Sequence, residues 1–512
     1  MLSTRFGMGV TGVALVKLGT ALVAALGCYR LSRGASRWAS ALLGLCAVLS
    51  VCAYFQFGRL PAGFVHRWEM FHYYVGAKYH AELGYKNLYR CAAVADAEDG
   101  FAQPGERRMI RDLDGDGLLR VASVLAQPER CKSRFSAARW SAFKHDASFF
   151  RRGLGKKTWA EAQLDHGYNP PPLWTATWGK LCELVPASLR HLQLLAAADV
   201  ALMLGVLGAL GLGFGWRVAA LGAVFWGTQA ASEVGWTGGG LGRQDWLFLC
   251  VAGAALLRRQ SFGWGGAALA LAGLLRLFPL LLLAGPGVVW LAAARARGEV
   301  PVAARRFALG AALALSAGLA VSVAHSGASD YREFWSHIQL RREAIVNNHM
   351  GLKTLLSAAP VPVAVAAHVK SEPRWVEQRR ARLQALNAGY VVILSCALLL
   401  VGAALWQARR AWVGAALATA LIPLTLDPSN YYYSFFILLV PLVAQKRSLG
   451  VLLSVVAAGG QLLSLRFAAP ELRFAALSWL YVGVALVVAL AFVRWPRLAF
   501  SWERGSTCRV TS

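Results

Sequence analysis

Charge is scarce in this chain of 512 residues: 15% are Asp, Glu, Lys or Arg, where an average soluble domain has about 25%. Acidic residues number only 26, so carboxylate chemistry has few places to reside. The 51 glycines and 18 prolines follow no three-residue period, which excludes collagen. No sustained heptad with charged flanks occurs, which excludes a coiled coil. The apolar poverty that keeps a chain disordered is also missing. What is present is apolar: 57% of residues are hydrophobic, in runs that recur along almost the whole chain, and mean hydropathy is +0.46. The natural unit is therefore the membrane span, and the fold class is an all-α polytopic membrane protein.

The 53 Lys and Arg give a formal net charge of +27. In a soluble protein such an excess points to nucleic acid. Here it sits in short clusters between apolar runs, at Arg30, Arg33 and Arg37, Arg258 and Arg259, Arg295, Arg297, Arg305 and Arg306, Arg409 and Arg410, Lys446 and Arg447, and Arg494 and Arg497. That pattern marks cytoplasmic loops, so nucleic acid is not expected as a partner. The run from Gly9 to Cys28 is long for a cleavable signal and lacks a small-residue cleavage site, so it is expected to remain as a span.

About 20 residues cross the hydrocarbon core, fewer where the bilayer thins. Spans are expected near 8–28, 38–57, 190–212, 218–232, 244–257, 262–275, 279–294, 307–324, 387–405, 411–426, 431–445, 448–465 and 475–493. With Arg30 to Arg37 fixed in the cytoplasm, alternation puts every later basic cluster on that side, provided that 262–294 forms two short helices. The N-terminus then lies outside and the C-terminus inside, unless the first segment is re-entrant, which reverses the N-terminus. Five sections follow: two spans in 1–57, an extracytoplasmic loop domain with interfacial helices in 58–189, spans in 190–324, a second outer loop in 325–386, and spans with a short tail in 387–512. The first outer loop holds 14 of the 26 acidic residues, so chemistry is expected there.

Cys28, Cys46, Cys52, Cys250 and Cys396 lie in apolar runs and read as small core residues. Cys91 and Cys131 lie well inside the outer loop, where an oxidising exterior permits a disulfide or leaves two buried thiols.

Glu69 follows the second span among Trp68, Phe71, Tyr73 and Tyr74, aromatics of the interfacial belt. A carboxylate there is placed to take a proton from a hydroxyl or to bind a metal. The plain alternative is an interface helix with Glu69 paired to Arg67 or Lys78. His72, Tyr73 and Lys78 on the same segment are candidate substrate contacts. Asp165 and His166 precede Pro170, Pro171 and Pro172, which are expected to force an extended path with no helix before the next span. Asp112, Asp114, Asp116 and Gly117 form D-x-D-x-D-G, the start of a calcium loop, but position 12 is Ser123 rather than Glu. Either a structural calcium or a solvated acidic turn fits.

Arg276 interrupts an apolar run of more than thirty residues, and ends at the outer side if Pro279 starts the next helix. Its guanidinium suits a lipid phosphate, the alternative being snorkelling or a pair with Asp199. Arg243 and Asp245 in GGGLGRQDW occupy another outer boundary, where glycines allow close approach to a ligand. Asn347, Asn348 and His349, and the run 426–434 with Asn430, fall on outer loops as well. Lys17 reads as a snorkelling residue without assigned function.

At these residues the chain resembles membrane glycosyltransferases of the GT-C fold, in particular bacterial polyprenyl-phosphate-mannose-dependent alpha-mannosyltransferases. Their acid, Tyr, small residues, Gly and Leu-Tyr after an early span are matched by Glu69, Tyr73, Ala77, Gly84, Leu88 and Tyr89. Tyr168, Pro171, Pro172 and Leu173 match the element before the next span. Arg243-Gln244-Asp245, Arg276 to Pro279, the loop near 347 and the turn near 428 complete a series spanning 66–440. Glu69 stands where the family usually has Asp, and Arg276 where it usually has Lys. The resemblance implies a bundle of about 11–13 transmembrane helices in the inner (plasma) membrane with its active site outside. It also implies transfer of a mannose-like hexose, with inversion, from a polyprenyl-phosphate donor to a glycan, lipid or protein acceptor.

In that reading Glu69 is the base and Asp165 a second catalytic residue, which with His166 lines the pocket or orients the acceptor; Arg276 and Arg243 hold the donor phosphate, and Tyr168, Asn347, His349 and Asn430 bind substrate. A divalent cation is left open, and no other cofactor is expected. The competing classes are a transporter or flippase of lipid-linked or anionic substrates, which uses broken helices and intramembrane Arg as well, and a non-catalytic assembly subunit. No repeat relates the two halves of the chain.

Overall fold

The computed structural model describes residues 10–34, 36–102, 107–115, 117–343, 346–358 and 373–494. Apolar segments in lipid must satisfy their backbone internally, and helix does so. The long ones are α1 (Val10–Arg33), α2 (Arg37–Tyr54), α3 (Leu189–Phe214), α4 (Trp216–Thr228), α5 (Asp245–Arg258), α6 (Phe262–Leu275), α7 (Leu281–Arg297), α8 (Val302–Ser326), α9 (Asn387–Gln407), α10 (Leu449–Arg466) and α11 (Pro470–Phe492). Eight of the described helices are long and apolar enough to cross a membrane, and shorter apolar helices cover Phe262–Leu275, Ala411–Thr425 and Asn430–Ala444. The protein is thus an all-α multi-pass membrane protein, and among the described residues each of the thirteen expected spans overlaps a helical segment.

Asn430–Ala444 is a 3-10 helix of 15 residues. At about 2.0 Å rise per residue it reaches about 30 Å, the thickness of a hydrocarbon core, with fewer residues than an α-helix needs. Small residues bring neighbouring helices close. A Cβ on Gly285 of α7 would overlap the Gly414 carbonyl, and one on Gly310 of α8 would overlap that of Gly263.

Trp38, Trp216, Trp264 and Trp406 are exposed, at the turns that carry Arg37, Arg217, Arg258 with Arg259, and Arg409 with Arg410. An aromatic collar and the basic clusters therefore mark the same end of the bundle. The polar segments emerge from the other end. There Lys17 of α1, buried, pairs with Glu233 in the loop after α4 at 3.3 Å.

The 58–189 segment is folded on its own charges. The carboxylate of buried Asp96 accepts from Arg108, Arg151 and Trp159 at 2.8 to 2.9 Å. Glu82 accepts from Arg139 Nη2 at 3.0 Å, and Lys78 lies 2.8 Å from Asp146. Cys91 and Cys131 are joined in a disulfide with Cα atoms 5.3 Å apart, tying helix Leu88–Glu98 to helix Glu129–Lys132. The sheet is one antiparallel hairpin, Met109–Arg111 with Leu118–Arg120.

Candidate functional site

The carboxylate nearest the bundle is placed by an irregular helix. His66 caps the turn Arg67–Met70 by accepting from the Glu69 N–H, and the next five residues, Phe71–Val75, form a π-turn. The wider π spiral turns Tyr73 toward the bundle. A second π-turn, Thr175–Gly179, follows the prolines. This corrects the expectation of an extended path up to the next span: helix starts at Pro172, because proline suits a first helical turn that has no use for its missing N–H.

Between these π-turns lies the 238–244 loop that precedes α5. Its Arg243 meets Glu69, with Nε 3.3 Å from Oε2, and the guanidinium also donates to the Tyr73 hydroxyl. So Glu69 pairs with neither Arg67, which donates to the Gly153 carbonyl, nor Lys78, which is committed to Asp146. Three rings surround the charge: Arg243 sits 4.4 Å from the centroid of Tyr73, 4.9 Å from Tyr431 and 5.8 Å from Tyr432. Arg276, in the turn between α6 and α7, lies 5.7 Å from the Tyr73 ring and 5.8 Å from Trp174.

Arg276 makes no pair with Asp199. It donates to the carbonyls of Leu275 at 2.7 Å and Gly242 at 3.4 Å, while its Nε is buried with no hydrogen-bond partner among the described residues. Both guanidiniums are 5% exposed or less, and Glu69 keeps 16% of its side chain accessible. Two buried guanidiniums, with the partly accessible Glu69 carboxylate at their edge and buried Asp245 near them, make up the site, termed the bay. Beside it an open groove of about 400 Å³ runs between the 172–183 segment, α5 and α6, lined by Leu173, Thr177, Trp178, Leu181, Leu249, Leu271 and Leu275. Trp178 connects groove and bay by donating to Asp245 at 2.9 Å.

The remaining sequence candidates separate into two sets. Tyr168 is buried against Tyr73, and burial holds its phenol well above its ordinary pKa, so it stays protonated and bonded to Thr175 Oγ1 at 2.7 Å. Asp165 accepts from Trp68 Nε1 at 2.8 Å, and His166 is partly buried next to it. The 346–351 and 427–430 segments come together: His349 bridges Ser429, Asn348 donates to Asn430, and Asn430 donates to Ala231 O. Asn347 is partly buried in the same turn.

His72 and Lys78 are packed inside the loop domain instead. His72 meets Trp68 O and Tyr89 Oη, and Lys78 meets Val185 O as well as Asp146. The acidic motif proves to be the hairpin's turn, with Asp112 paired to Arg90 and Asp114 to Lys86. Asp116 lies outside the described residues, and among those described no three His, Cys, Asp or Glu converge to hold a metal ion.

Sequence reasoning missed Trp174, Trp178, Tyr431 and Tyr432. Their only signal was aromatic density beside proline and beside the 426–434 turn, and aromatics are common at any membrane boundary. Comparison of the chain with protein-family models, curated proteins and solved structures finds no match in any of the three.

Proposed function

We propose that the protein is a membrane glycosyltransferase that moves a hexose from a polyprenyl-phosphate donor to an acceptor hydroxyl. The observation that carries this reading is the pair of buried guanidiniums, Arg243 and Arg276, beside Glu69 and next to an apolar groove. A lipid-linked sugar phosphate has the same order of parts: a chain for the groove, an anion for the arginines, and a reacting carbon beyond them.

In this reading the phosphate engages Arg276 and Arg243 and competes with Glu69 for the latter, which releases the carboxylate. Glu69 then takes the proton from the acceptor hydroxyl, whose oxygen attacks the anomeric carbon as the carbon–oxygen bond to phosphate breaks. The guanidiniums stabilise the charge that grows on the departing phosphate. Attack from the face opposite the leaving group inverts the configuration. Tyr73 and Tyr168 fix the arginine side of the bay.

Purified protein in liposomes, given a panel of radiolabelled polyprenyl-phosphate sugars and candidate acceptors, tests the proposal. Label is expected to move to an acceptor, and Glu69→Gln is expected to lower the rate about 100 to 10,000-fold with donor binding retained. Full turnover in that variant removes Glu69 as the base. Movement of intact lipid-linked sugar between leaflets without transfer replaces the proposal with a transporter.

A further inference from the structure

Asp199 is a charge in the bundle that the site has not used. It lies in α3, a span, and is 4% exposed, yet no Lys or Arg pairs with it among the described residues. Its carboxylate instead accepts from the main-chain N–H of Arg243, at 2.8 Å to Oδ1 and 3.0 Å to Oδ2, and from that of Gln244 at 3.2 Å.

These amides belong to a non-helical loop at the edge of an apolar bundle, where each unsatisfied backbone group is costly. The loop's carbonyls are met by side chains from other positions. Gly242 O accepts from Trp174 Nε1 at 3.1 Å and from Arg276, and Arg243 O accepts from Trp246 Nε1 at 3.0 Å. Asp199 supplies the acceptors that complete this set, and it does so bidentately at the residue whose side chain forms the bay.

We propose that Asp199 is a positioning residue: by holding the main chain at Arg243 and Gln244 from α3, it aims the Arg243 guanidinium between Tyr73 and Tyr431 to receive the donor phosphate. This rests on the proposed role of Arg243. The choice of partner matters electrostatically. A carboxylate that spends its lone pairs on amides leaves Arg276 bonded only to carbonyls among the described residues, whereas an Asp199–Arg276 pair would cancel its charge; Arg243 is shared with Glu69 until the phosphate displaces that carboxylate.

The test uses full-length protein in nanodiscs, with Asp199→Asn and Asp199→Leu. Two readouts are taken: amide hydrogen exchange of the peptide covering 238–246, and equilibrium binding of geranyl phosphate compared with geraniol. Asp199→Asn preserves volume but loses the second acceptor oxygen and the charge. It is expected to speed exchange at 243–244 and to weaken geranyl phosphate binding about 10 to 100-fold, by analogy with the loss of a partner that orients a ligand at metal sites, with geraniol binding unchanged. Asp199→Glu is expected to recover part of the loss.

Unchanged exchange in a folded Asp199→Asn protein overturns the positioning role. Faster exchange with unchanged phosphate affinity overturns its connection to the ligand. If the unmodified protein binds geranyl phosphate no better than geraniol, the phosphate role of Arg243 falls and takes the ligand half of this proposal with it, while the exchange data still decide whether Asp199 holds the loop. If Asp199→Leu does not fold, Asp199→Asn carries the decision.

Discussion

An arginine at the centre of a transmembrane helix costs about 2.5–3.5 kcal/mol on the insertion scale, so position decides whether it is tolerated. Arg243 and Arg276 lie at helix ends, and rings and carbonyls replace their water. The two residues were legible in the sequence, Arg276 because it interrupts an apolar run and Arg243 because it stands in a glycine-rich stretch at a span boundary. Their shared ring, Tyr73, was legible only as a nearby aromatic, since 170 residues separate it from Arg243. Charge is handled differently at Asp427, in the turn before the 3-10 helix. Burial raises its carboxyl from 3.8 to about 6, opposed by the Thr354 N–H that donates to it at 3.2 Å and by Lys353 and Arg379. A pKa raised on folding adds stability below the unfolded value, and that stability is lost as pH climbs through the folded one. The effect is up to about 3 kcal/mol, less what this partly buried group recovers from solvent. Melting temperatures from pH 4.5 to 7.5 are therefore expected to show the natural protein gaining on Asp427→Asn as pH falls from 7 toward 4.5. A difference between the two that is flat with pH counts against the raised pKa.

Two π-turns, Phe71–Val75 and Thr175–Gly179, shape the element scale, and they press against each other's flanks. Gly76, at the end of the first, faces Tyr168: a Cβ there would lie 2.5 Å from the ring and 2.9 Å from the Tyr168 Cβ. Alanine is the better helix former by about 1 kcal/mol. The neighbour, however, is the root of a fully buried side chain that has no free end to swing away. Overpacking, about 1–3 kcal/mol, is expected to win. Gly76→Ala should therefore lower the melting temperature and the affinity for geranyl phosphate together, through Tyr73; an unchanged or raised melting temperature shows that Tyr168 yields. Long apolar helices such as α3 and α9 were legible because composition alone defines them. The π-turns were not, because inserting one residue into a spiral changes no pattern of residue types. The prolines misled for a related reason: the missing N–H that breaks a helix interior costs nothing at Pro172, where a helix begins. The meeting of 346–351 with 427–430 was legible only as two outer loops, because nothing local specifies which loop another pairs with.

At the scale of the molecule, charge, aromatic collar and bay make one statement about sidedness. Four of the exposed tryptophans, Trp38, Trp216, Trp264 and Trp406, stand with the arginine-rich turns at one end, and Glu69, Arg243 and Arg276 lie toward the other; Trp335 and Trp479 are exposed elsewhere. Lys17 adds an independent fix: its pair with Glu233 brings the first third of α1 to the bay end, while Arg30 and Arg33 end the same helix among the basic turns. By the positive-inside rule the basic end is expected in the cytoplasm and the bay outside. Impermeant maleimide distinguishes the two ends in intact cells once Cys52 and Cys396, exposed among the described residues, and Cys508 are replaced by Ala. A cysteine at Ser123, exposed on the 58–189 segment, is expected to label directly, and one at Arg259, exposed between α5 and α6, only after the membrane is permeabilised. The reverse pattern places Glu69 in the cytoplasm, where nucleotide-activated sugars are at hand, and removes the main reason for a lipid-linked donor. Labelling at both positions in intact cells means that the chain inserts in two orientations. In that case α1, which carries Lys17 at one end and two arginines at the other, is the element to alter first, since its charges are the ones that an inverted insertion leaves on the wrong side.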